Sequence, residues 1–199
     1  MTVLKTRAKL VDVARQLFAK NGVEETTMND IATASKKGRR TLYTYFKSKE
    51  QIYMAVVESE LEILSDKMGE VAKRTLPPDE KILELIATHL ETIKEVVFRN
   101  GTLRAGFFRD IWRVEAVRKN FDEKEIGLFR IVLEEGKAEG IFDIDNVEIT
   151  ADILHYCIKG IEVPYIRDQI GEDLDDETGW RYVAKIVFGA LGRKGNEQV

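Results

Sequence analysis

Apolar residues along this chain recur at spacings of three and four, the period of an amphipathic helix rather than the alternation of a strand. Leu10, Val11, Ala14, Leu17 and Phe18 share one face of a first helix. Gly22, just after Asn21, stands where a left-handed terminator belongs. Thr27 precedes Met28, Ile31 and Ala32, with Asp30 at the capping-box position in place of the preferred Glu. This second helix has room for only about two turns before Lys36-Lys37-Gly38 interrupts it. A third short helix runs from Arg39 to Phe46, with Leu42, Tyr43 and Phe46 on one side. Ser48, followed by Gln51, is the next N-cap candidate. It opens a long helix through Ile52, Val56, Leu64 and Met68 to about Arg74, where Pro77-Pro78 stops it.

Asp79 can cap the next helix, which lines up Ile82, Leu85, Ile86, His89, Ile93 and Val96 and ends at Asn100-Gly101. The pattern then predicts helices from about Thr102 to Val114 and from about Ala116 to Ala138, with Gly140 closing the second. Asn146 or Asp145 opens another through Ile153, Leu154, Cys157, Ile158 and Ile161, which Pro164 should kink or end. A last helix carries Trp180, Val183, Ala184, Val187, Phe188 and Leu191. The expected fold is all-α, with about nine helices.

Composition narrows the class. The 199 residues are 44% hydrophobic and 33% charged, which fits a soluble globular chain with a sizeable core. One cysteine, Cys157, excludes an internal disulfide framework and a cysteine zinc cluster, and it reads as a small buried filler. Two histidines argue against a multi-histidine metal site, so neither metal nor cofactor is expected. Charges at the N-terminus stand where a signal peptide needs an apolar run, and no apolar run is long enough to span a bilayer. The expected location is the cytoplasm.

The net charge of −4 is unevenly spread. Residues 1–55 carry 11 Lys/Arg against 5 Asp/Glu, or +6, and the remainder carries −10. A basic quarter on an acidic body suggests a localised anion-binding surface. Two very short helices joined by a basic turn have the layout of a helix-turn-helix, a support helix followed by a recognition helix. Thr27, Lys36, Lys37, Arg39, Arg40, Thr41, Thr44, Tyr45 and Lys47 are the candidate DNA contacts. Arginine can read guanine bidentately, while hydroxyls and ammoniums suit phosphates.

The run Thr27-Met28-Asn29-Asp30-Ile31-Ala32 and the string Thr41-Leu42-Tyr43-Thr44-Tyr45-Phe46-Lys47-Ser48-Lys49-Glu50 resemble the N-terminal domain of TetR/AcrR-family transcriptional regulators. The resemblance covers about residues 6–60. It departs at the turn: where the family usually has Ala-Gly-Val-Ser-Lys-Gly, this chain has Ser35-Lys36-Lys37-Gly38-Arg39-Arg40. Lys37 replaces an apolar Val and Gly38 replaces a capping Ser. The resemblance implies a helix-turn-helix DNA-binding domain over residues 1–50 and a helical ligand-binding and dimerisation domain over 51–199. It implies a homodimer that binds a palindromic operator with recognition helices roughly 34–36 Å apart or somewhat more. It also implies a small molecule that shifts this spacing and releases the DNA.

Several side chains in the second domain follow from that expectation. Met68, His89, Phe108, Trp112, Phe129 and Tyr156 are the candidate effector contacts; aromatic residues at helical spacing also suit a plain core, and His89 suits a satisfied core histidine. The few charges among them suggest a largely apolar or aromatic effector. Ile161, Trp180, Val183, Val187 and Leu191 are the candidate dimer interface. An enzyme would need a nucleophile–base pair, a metal cluster, a carboxylate dyad or a phosphate-binding glycine loop, and no such motif stands in the sequence. A helical protein-interaction module would use the same amphipathic faces but would leave the basic turn unexplained.

Overall fold

A computed structural model describes residues 2–100, 111–170 and 176–194, with side-chain surroundings given for 4–100, 118–170 and 178–194. Among the described residues there are eight helices and no strand. They are α1 (Thr2–Asn21), α2 (Met28–Ala34), α3 (Arg39–Tyr45), α4 (Lys49–Ala72), α5 (Pro78–Arg99), α6 (Ile111–Ala138), α7 (Val147–Ile166) and α8 (Asp176–Ala190). The expectation of nine is corrected at one point. Val114-Glu115-Ala116 holds neither glycine nor proline, so nothing ends a helix there, and α6 runs through it unbroken. The start expected at Thr102 lies outside the described residues.

The chain forms two compact units, Met1–Ile63 with Glu95–Asn120, and Leu64–Lys94 with Phe121–Val199. In the first, Leu10, Ala14, Phe18, Ile31, Leu42, Phe46, Ile52 and Val56 are buried. Helix α1 packs on α2, and α2 on α3. The Phe18 ring meets Tyr53 of α4 edge-on, with centroids 6.4 Å apart. In the second unit Leu64, Met68, Leu85, Ile86, Phe129, Leu133 and Ile158 are buried.

Helix ends follow the local chemistry. The Gly22 N–H bonds to Phe18 O at 2.9 Å with Gly22 at φ 91°, which stops α1. Thr27 and Asp30 form the expected reciprocal cap on α2: Asp30 N–H donates to Thr27 Oγ1 at 3.2 Å, and Thr27 N–H to Asp30 Oδ2 at 2.9 Å. The hydrogen bonds from Thr27 hold the Asp30 carboxyl below its ordinary range. Pro164 sits in the final turn, and α7 ends two residues later at Ile166.

α6 ends in a Schellman motif. Gly140 has φ 73°, its N–H bonds to Lys137 O at 3.1 Å, and Ile141 N–H bonds to Gly136 O at 2.8 Å. This turn folds buried Phe142 back over Gly136, so closely that a methyl group there would overlap the ring. Phe142 is 2% exposed, so its ring would have to repack against its neighbours. Gly136→Ala is therefore expected to destabilise the protein by about 1–3 kcal/mol in a chemical melt, with helix content otherwise retained.

Candidate DNA-contact surface and a buried ionic core

The recognition end of the first unit rests on an unusual backbone. Helices α2 and α3 have seven residues each, and short helices of this kind hold only when packed. Between them, α2 closes with the same Schellman pattern as α6: Lys36 N–H bonds to Thr33 O at 3.0 Å and Lys37 N–H to Ala32 O at 3.0 Å. Here the left-handed position is filled by a lysine, Lys36, at φ 56°. A side chain in this conformation costs about 1–2 kcal/mol relative to glycine. The family pattern places glycine at this position. The sequence reading assigned Lys36 a charge and missed its strained backbone, although the spacing after Ala34 could have revealed it.

The consequence is a cluster of cations around the start of α3. Lys36, Arg39 and Arg40 are exposed, and Lys37 is half-buried. Gly38 caps α3 without a side-chain bond. Along the outer face, Thr44 is exposed, and Thr41 and Tyr45 are half-exposed. Leu42 and Phe46 point inward and are buried. Thr27 is exposed, with its hydroxyl engaged by Asp30. Lys47 is exposed, and its Nζ donates to Tyr43 O at 2.9 Å, closing the end of α3. All nine sequence-predicted DNA contacts thus lie in the first unit on or beside α2 and α3, at least partly accessible. Arginine forks and lysine ammoniums at one end, with hydroxyls behind them, can bind phosphates and read base edges.

The candidates in the second unit are less uniform. Met68 and Phe129 are fully buried. Phe108 lies outside the described residues, and the Trp112 side chain is likewise not described. Tyr156 is 64% exposed and lies on the surface, apart from the buried pair. His89 is 1% exposed with both ring nitrogens engaged. Nδ1 hydrogen-bonds Glu125 Oε1 on α6, and Nε2 meets Glu162 Oε1 on α7 at 3.1 Å. The other Glu125 oxygen meets His155 Nδ1 on α7 at 2.5 Å. His155 Nε2 faces Asp122 Oδ1 at 3.8 Å, and Lys159 donates to Asp122 Oδ2 at 2.6 Å. The sequence reading found few charges around its pocket and missed Glu125, Glu162 and His155. Their partners stand 30 to 73 residues away, so no local spacing reveals them.

Electrostatics fixes the protonation of this core. Burial pushes His89 toward the neutral form, but hydrogen bonds and charges from Glu125 and Glu162 outweigh it and raise its pKa to about 9. Burial pushes the Glu125 carboxyl up, and the two histidines more than reverse this, holding it below its ordinary value. His89 is thus an imidazolium at neutral pH, between two carboxylates. Among the described residues no group of three or more His, Cys, Asp or Glu is arranged to hold a metal ion.

The last two helices carry an apolar surface. Ile149, Ile153 and Tyr156 on α7, and Tyr182 and Ile186 on α8, are exposed. Of the predicted interface, Ile161, Trp180, Val183 and Val187 are half-exposed. Leu191 is different: it is 2% exposed within its own chain, and its carbonyl accepts from Asp143 N–H at 3.1 Å. The α8 stripe turns inward at its end, where the chain docks on residues 141–143. Cys157, expected as a buried filler, is exposed on the same side of α7 as Tyr156.

A folded-state pKa above the unfolded value means that His89 contributes stability that is complete below about pH 6.5 and is lost as pH rises through about 9. A shift of that size corresponds to something on the order of 3 kcal/mol across that window. Melting temperature should therefore fall between pH 7 and 10. In His89→Gln this part of the slope should vanish, on a protein already weaker because Glu125 and Glu162 lose their cation.

Comparison with known proteins agrees with this geometry. Residues 10–56 match the profile described as bacterial regulatory proteins, tetR family. The chain is 25% identical over 198 residues to the HTH-type transcriptional repressor KstR2 of Mycolicibacterium smegmatis, covering 96% of this chain and 93% of that protein. It is 22% identical over 161 residues to the HTH-type transcriptional regulator QacR of Staphylococcus aureus, covering 79% and 85%. The solved SmeT–triclosan complex shares the fold, with a TM-score of 0.68, 16% identity and coverage of 98% and 95%. Over residues 10–56, where the helix-turn-helix is built as described, the chain matches the TetR family, and over most of its length it is similar to HTH-type transcriptional regulators.

Proposed function

We propose that the chain is a homodimeric, effector-responsive repressor that binds a palindromic duplex operator. The observation that carries this reading is the exposed cationic cluster Lys36, Arg39 and Arg40 at the entering end of α3. In a helix-turn-helix that end of the recognition helix reaches base edges in the major groove. Residues 1–50 serve as the DNA-binding domain and 51–199 as the effector and dimerisation domain. Arg39 and Arg40 read bases, and Thr27, Lys37, Thr41, Thr44, Tyr45 and Lys47 hold the backbone. Repression is supported by the likeness to KstR2, a transcriptional repressor. The protein works in the cytoplasm, and among the described residues no helix is long and apolar enough to cross a membrane.

The dimer forms through α7 and α8. Their exposed Ile149, Ile153, Tyr156, Tyr182 and Ile186 give an apolar face that a second copy can cover by two-fold symmetry. Ile161, Trp180, Val183 and Val187 flank it; Leu191 serves the protomer's own core instead. A small organic effector binds in the second unit near Met68, His89 and Phe129, a reading supported by the triclosan complex of SmeT. It acts only by favouring one conformation of the dimer over another.

Selection from random duplexes at moderate salt by the purified protein is expected to enrich an inverted repeat. Arg40→Ala should relax the selected sequence at one position in each half-site, at about 1–3 kcal/mol per half-site. Enrichment of no sequence by the wild type would overturn the reading. Ile186→Arg, on a side chain 72% exposed, should give a folded monomer by light scattering, whereas a persistent dimer would remove α8 from the interface.

A further inference from the structure

Glu60 on α4 is a buried carboxylate that the DNA contacts and the effector core leave unused. Its side chain is 3% exposed, and it faces arginines from two other helices. Arg15 of α1 places Nε 3.7 Å from Glu60 Oε1. Arg99, the last residue of α5, donates Nη2 to Glu60 Oε2. Asp12 in turn accepts from Arg15 Nη2 at 2.9 Å, so the α1 guanidinium is held on two sides.

The packing beside this cluster is incomplete. A cleft of about 460 Å³ runs between α1 and α4, lined among others by Leu4, Val11, Ala55, Ser59 and Ile63. Where side chains do not interdigitate, a helix can shift with little loss of dispersion contact. On this side of α1 the directional restraints are the buried tie through Glu60 and the exposed pair of Arg7 with Glu58, 3.7 Å apart.

We infer that Glu60 is a positioning residue for DNA binding, holding α1 to the end of α5 through Arg15 and Arg99. Helix α1 packs on α2, and α2 on α3, so the orientation of α1 is felt by the recognition helix. Arg99 is the last residue of α5, the helix that also carries His89. A buried carboxylate stripped of its cations is strongly disfavoured. When the end of α5 moves, Glu60 follows Arg99 and carries Arg15 and α1 with it. This is a contiguous physical connection between the end of α5 and the helix-turn-helix. The inference rests on the reading that α3 binds duplex DNA.

The test compares Arg15→Gln, Arg99→Gln, the double variant and Glu60→Gln with the wild type. Readouts are affinity for the selected duplex, melting temperature and amide hydrogen exchange in α1. Each single change should lower duplex affinity roughly fivefold or more. Because Arg99→Gln takes a cation from a carboxylate that is 3% exposed, it should also lower the melting temperature. The double variant should lose no more than the worse single one, because both act through one carboxylate. Exchange in α1 should quicken in Arg99→Gln, although Arg99 is on another helix. Losses that multiply in the double variant, or α1 exchange unchanged in Arg99→Gln, would overturn the inference. If the wild type selects no duplex, the DNA reading fails, and α1 exchange alone still decides whether Glu60 ties the helices.

Discussion

Two helices of seven residues cannot hold themselves in water, and everything at the DNA-contact surface depends on that fact. Nucleating a turn fixes several dihedral angles before hydrogen bonding returns the cost. α2 and α3 therefore exist because Ile31, Leu42 and Phe46 are buried, with α1 packed on α2 and α2 on α3. The direction in which Arg39 and Arg40 point is set by that small core. The Thr27–Asp30 cap and the Lys36 turn add to it by fixing where α2 starts and how the chain leaves it.

The Lys36 turn joins stability and function in one residue. A glycine at φ 56° would be unstrained, as Gly140 is at φ 73° in the equivalent turn after α6. The lysine keeps the strain and adds an exposed cation next to Arg39. Backbone strain of this kind survives only where the surroundings over-determine the conformation, here by the two carbonyl acceptors Ala32 and Thr33.

Legibility in the sequence followed the range of the interactions. The Thr27–Asp30 cap, the Gly22 stop and the helical periods are all local, and each was readable from spacing alone. The cationic cluster was readable because its members are adjacent in the chain. The ionic core was not, since His89 meets Glu125 and Glu162 only after three helices have packed. Its sole advance sign was a histidine on an apolar face, which fits a satisfied core residue equally well. Periodicity also misled at two places. It drew a boundary near Val114 with no residue to enforce it, and it extended the α8 surface stripe to Leu191, which the returning chain at Asp143 covers.

The ionic core and the Glu60 cluster share one physical property: each ties three helices through a buried carboxylate with both oxygens occupied. Such clusters add little net stability, because desolvation offsets most of the attraction. What they add is geometry, since a charge pair tolerates few arrangements whereas apolar side chains slide and repack. His89, Glu125 and His155 thereby fix the register of α5 against α6 and α7. Glu60 fixes the end of the same α5 against α4 and α1. Each stretch of α5 is thus held by charge within its own unit, which restricts the arrangements its neighbours can adopt there.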